Sequence, residues 1–161
     1  MEKTSKLEKL KKNYAVLVKK HKIPKFEDIN KEFEIEKLQL KETDFLLREI
    51  RRTISDKIVA FLKFLELFMN PSSAPLFVLI ALKNLQNHTK EKIEETYKVL
   101  VKQELHSVKL DVDYKEAEEV KFVKDVLKNW KSFKEDLLEI CKDIDKAYTK
   151  TSEKNHKGYF G

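Results

Sequence analysis

The sequence predicts an all-α protein: a single-domain helical bundle of about five helices. Three observations predict it. The 161 residues contain only two glycines, both in the last four positions, so residues 1–157 have none. Apolar residues recur at three- and four-residue spacings along most of the chain. The hydrophobic share is 41% beside 39% charged residues, enough apolar surface for a core despite the high charge. The missing glycines argue against β-sandwiches and barrels, whose tight turns usually need them. They also argue against phosphate-binding loops, where the backbone must approach the anion closely.

The first element spans about Ser5 to Lys22. Leu7, Leu10, Tyr14, Leu17 and His21 follow a 3-4-3-4 spacing and draw one apolar stripe on a lysine-rich helix. Pro24 ends it, since proline disfavours helix in the residue before it. A short helical turn can follow across Phe26 to Phe33. Residues 33–40 then alternate apolar and polar side chains, as do residues 107–113, which include Leu110 and Val112. The two stretches can pair as one small two-stranded β-ribbon, though an extended connector gives the same pattern.

The central helix starts at Thr43 or Asp44, both good caps, and reaches Met69. Its second half, from Ile58 on, is apolar on nearly every face. A turn over 70–75, capped by Ser72 or Ser73, leads into a second greasy helix from Leu76 to about Gln86, completing an αα-hairpin. Thr89 caps the next helix. Asp113 and Glu116 read as a capping box for the last one, whose stripe runs from Val120 to Tyr148 and includes Trp130 and Cys141. Three units follow within a domain of 1–148: a basic helix over 1–23, the apolar hairpin over 43–86 and the C-terminal helices over 89–148. Residues 149–161 read as a flexible polar tail.

Charge is uneven. Residues 1–25 carry a net +7, residues 26–145 a net −4 and residues 146–161 a net +3. Both ends are basic and the body is mildly acidic, so a basic arm is indicated rather than a basic face. One cysteine, Cys141, permits no intrachain disulfide and fits a reducing, cytoplasmic setting. The N-terminal residues hold no apolar core of a secretory leader. No apolar run reaches the roughly 20 residues that a membrane span requires, so insertion is disfavoured.

Two surfaces stand out. All three arginines fall within one helical turn, at Arg48, Arg51 and Arg52, against 31 lysines. A planar guanidinium binds carboxylate or phosphate through paired hydrogen bonds, which lysine cannot do. The cluster is either a salt-bridge network, with Glu49, Asp56 or an acid of another helix, or a contact for nucleic acid or an acidic partner. The second surface is apolar: Leu7, Leu10, Tyr14 and Leu17 on the first helix, with Phe64, Phe68 and Phe77 on the hairpin, form a candidate interface.

Catalytic patterns are sparse. The four histidines are scattered, and Glu153-x-x-His156 stands alone in the tail, where a di-iron bundle needs two such pairs. Cys141 lies on an apolar stripe, where a buried thiol is the expected reading. The sequence therefore points to no enzyme, no cofactor and no small-molecule substrate. Two functions stay open: an interaction or regulatory module that self-associates or binds a protein, and a nucleic-acid-binding protein using its Lys-rich ends and the arginine face.

Overall fold

The computed structural model describes the backbone of residues 2–157 and the side chains of residues 6–150. Among the described residues there are six α-helices, two short 3-10 helices and no strand. The helices are α1 (Glu2–His21), α2 (Phe26–Phe33), α3 (Leu46–Met69), α4 (Leu76–Leu82), α5 (Asn87–Val112) and α6 (Glu116–Lys157), with 3-10 turns at Ile35–Leu40 and Pro71–Ser73. The all-α class is thus observed.

The β-ribbon is not formed. Residues 35–40 are a 3-10 helix and residues 107–112 are the last turns of α5. Period three decides both places. Ile35 and Leu38 are buried while Leu40 is 73% exposed, and Ser107 and Leu110 are buried while Val112 is 84% exposed. In a strand, residues three apart face opposite sides, whereas in a helix they share a face, so burial of both members of each pair fits the helix.

Several predicted boundaries also move. α1 closes where Lys22 turns left-handed (φ 53°) before Pro24. The Thr43 hydroxyl accepts the Phe45 N–H at 2.9 Å just ahead of α3. Thr89 does not cap α5, which begins at Asn87. α4 has no side-chain cap and stops at Leu82, short of Gln86. Asp113 pairs with Lys115 at 2.8 Å instead of closing a capping box. α6 continues to Lys157, past the predicted start of a tail at Thr149. The side chains of Glu153 and His156, and all of residues 158–161, lie outside the described residues.

The chain divides into two compact units, Met1–Ile58 with Gln103–Asn129, and Val59–Lys102 with Trp130–Gly161. In the first, Leu47, Ile50, Ile54 and Ile58 of α3 line up at three- and four-residue steps and are all buried. α2 adds Phe26, Ile29 and Phe33, and α6 adds Phe122, Val123 and Val126. In the second, Leu62, Leu65 and Phe68 continue the α3 stripe. Val78 and Ala81 of α4, Ile93 and Leu100 of α5, and Trp130 and Ile140 of α6 are buried in the same unit. Trp130 lies against Phe61 (centroids 6.2 Å apart) and edge-on to Phe133 (6.5 Å).

Candidate functional site

The three arginines of α3 have three different environments. Arg51 is fully buried, because position 51 falls on the inward stripe with Leu47, Ile54 and Ile58. A buried guanidinium must have its donors satisfied, or its desolvation is uncompensated. Here Nε donates to Glu119 Oε2 at 3.0 Å and Nη2 to Glu119 Oε1 at 3.2 Å. Nη1 donates to the Ser107 hydroxyl at 2.9 Å, and Nη2 also to Asp111 Oδ1 at 2.8 Å. Glu119 is itself fully buried. Ser107 and Asp111 stand four residues apart on one face of α5, and Glu119 is in the first turn of α6, so one guanidinium ties three helices.

Arg52 is half exposed. Its Nε donates to the same Asp111 Oδ1 at 3.0 Å, and Nη1 to Glu49 Oε1 at 3.1 Å. Arg48 lies over two rings, 4.6 Å from the centroid of Tyr114 and 5.4 Å from that of Phe45, while its buried Nε has no hydrogen-bond partner. The arginine face as a nucleic-acid contact therefore needs correction. Arg51 cannot reach a macromolecular ligand, and the charge of Arg52 is met by two carboxylates.

Asp111 joins Arg51 and Arg52. The hydrogen bond from Arg51 outweighs partial burial, and with Arg52 it holds the Asp111 carboxyl down at about 2. The sign follows. The folded value lies below the unfolded one, so the contribution to stability is present above about pH 4 and is lost as pH falls toward 2. We expect urea midpoints of wild type and Asp111→Asn to converge over that window. Parallel curves would show that Asp111 titrates as a free side chain.

The N-terminal stripe packs internally. Leu10 and Tyr14 are buried, and Leu7 and Leu17 are half-buried. The Tyr14 hydroxyl donates to the Pro24 carbonyl at 2.7 Å, and its ring meets Phe26 edge-on at 5.5 Å. Leu10 and Tyr14 are thus core residues and not a free interface. Phe68 is likewise buried.

The outer face of α4 is open. Leu76 is 71% exposed, Phe77 41% and Leu79 42%. Phe64, Phe77, Ile144 and Tyr148 line a shallow groove of about 240 Å³ with Cys141 and Asp145. Cys141 is exposed there, which corrects the expected buried thiol: Ile140 and Ile144 take the inward positions and Cys141 falls beside them. Partial burial still pushes its thiol pKa up, which does not favour a nucleophile.

One constellation escaped the sequence reading. Thr89 donates to Asp143 Oδ2 at 2.9 Å, and His88 Nε2 lies 3.3 Å from the Thr89 hydroxyl and 3.4 Å from Asp143 Oδ2. A nucleophilic threonine would give its proton to the histidine and face a ligand. Here Thr89 is 1% exposed and its hydroxyl proton goes to the carboxylate. The arrangement fastens the start of α5 to α6. Among the described residues no group of three or more His, Cys, Asp or Glu is placed to hold a metal ion. No described helix is long and apolar enough to cross a membrane. Comparison with known proteins returns no matching family, curated protein or solved structure.

Proposed function

We propose that this chain is a non-enzymatic interaction module that self-associates through the outer face of α4. One observation carries the reading: three of the seven α4 residues, Leu76, Phe77 and Leu79, are apolar and exposed beside the groove of Phe64, Ile144 and Tyr148. A single exposed leucine is ordinary, but a contiguous apolar patch is an association site or a solubility liability. A cytoplasmic setting, where Cys141 stays reduced, is compatible with it.

Light scattering over a concentration series tests the idea. The wild-type mass rises above that of one chain. Leu76→Glu with Leu79→Glu returns it to one chain without altering the helical circular dichroism spectrum. A wild type that stays monomeric at every concentration removes self-association. The nucleic-acid alternative keeps the lysines of α1 but has lost Arg51 from its contact face. It requires a mobility shift at low salt that weakens steeply as salt rises.

A further inference from the structure

A second surface, in the other unit, has a different chemistry. α1 and α2 enclose a groove of about 300 Å³ whose apolar part is Tyr14, Ala15, Val18 and Phe26. Three lysines, Lys11, Lys19 and Lys25, stand around it with one acid, Glu27. Glu27 is 3.8 Å from Lys11, whose ammonium lies 5.2 Å from the centroid of Phe26. Among the described residues, Lys19 and Lys25 have no carboxylate partner. They are part of the +7 of residues 1–25.

We infer that this groove docks an acidic amphipathic helix of a partner protein, apolar side chains against Ala15 and Val18 and carboxylates against Lys19 and Lys25. Charge complementarity selects that occupant: an apolar floor calls for apolar side chains, and unpaired ammonium groups beside it call for acids at the rim. Lys11 and Lys19 are eight residues apart on α1, about 12 Å along its axis, which matches roughly two turns of a docked helix. A lipid surface fits less well. Membrane-bound helices push an apolar face outward, whereas Leu10 and Tyr14 of α1 are turned into the fold and the open apolar surface is concave. Single-stranded nucleic acid needs exposed rings for stacking, and Tyr14 is 1% exposed.

The test is a fluorescence-anisotropy titration of the full chain. The probe is a synthetic fluorescein-labelled peptide of about four helical turns, with leucines on one face and glutamates flanking them. Saturable binding that weakens with salt is expected. Lys19→Glu with Lys25→Glu lowers the affinity about tenfold or more. Ala15→Trp, a change at an exposed position that fills the groove, lowers it as well while thermal unfolding is unchanged. Leu76→Glu with Leu79→Glu leaves it unchanged, which separates this site from the α4 face. Equal binding of a scrambled peptide, or indifference to the lysine substitutions, overturns the proposal. Tighter binding to phosphatidylserine vesicles or to single-stranded DNA than to the peptide also overturns it.

Discussion

Replacing Arg51 with methionine is expected to destabilise the protein by about 3–5 kcal/mol, because it leaves Glu119 as an unpaired buried carboxylate. The loss comes mainly from the stranded partner and not from a net attraction. Removing both charges, as in Arg51→Met with Glu119→Leu, should therefore recover most of it. Arg51→Lys should behave like the single loss, since one ammonium cannot span Glu119, Ser107 and Asp111 as the planar guanidinium does. Urea unfolding of the two single variants and the double variant closes the cycle. Additive losses, with no recovery in the double variant, would mean that the two groups do not share a buried contact.

The fold class was legible because glycine is missing through residue 157 and because the helical stripes are long. The errors came where stripes are short. Val108, Leu110 and Val112 alternate, so residues 107–113 read as extended, and that reading hid the partners of Arg51. Once α5 continues through Val112, Ser107 and Asp111 fall one turn apart on one face and become visible as a pair. Glu119 left a signal too. It sits three residues before Phe122 and seven before Val126, both fully buried, so an acid occupies an inward position of α6. Arg51 does the same between Leu47 and Ile54. A charge on an apolar stripe in one helix asks for an opposite charge on a stripe in another, and here they are 68 residues apart. No local motif encodes such a pairing, which depends on how the helices pack.

The apolar candidates divided for a related reason. Periodicity marks which side chains share a face but not whether another element covers that face. On α1 the stripe is covered by the short elements after Pro24, whose own apolar residues, Phe26, Ile29 and Ile35, are buried with it. On α4 seven consecutive apolar residues supply more than one face, and only Val78 and Ala81 are buried. A helix that is apolar all round must leave something exposed when it packs on one side only.

Tyr14 gives the sharpest test of whether α1 belongs to the folded core. Tyr14→Ala removes a buried ring in edge contact with Phe26, and the expected loss is about 3–5 kcal/mol. Tyr14→Phe keeps the ring but leaves the Pro24 carbonyl without its donor, a smaller loss of about 1–2 kcal/mol. The pH dependence separates the two contributions. Burial pushes the Tyr14 phenol well above its usual range, and the charges of Asp28 and Glu27 add to the shift. The folded value therefore exceeds the unfolded one, near 10, so this contribution is whole at neutral pH and declines as pH rises past about 10. Urea unfolding from about pH 9 to about pH 11 should show wild type losing stability more steeply than Tyr14→Phe. Tyr97 and Tyr114, also raised, add a shared slope to both proteins, so the difference between the two curves isolates Tyr14. A Tyr14→Ala loss below about 1 kcal/mol, with no alkaline difference, would mean that α1 detaches from α2 in solution. The groove beside Lys19 and Lys25 would then have no second wall.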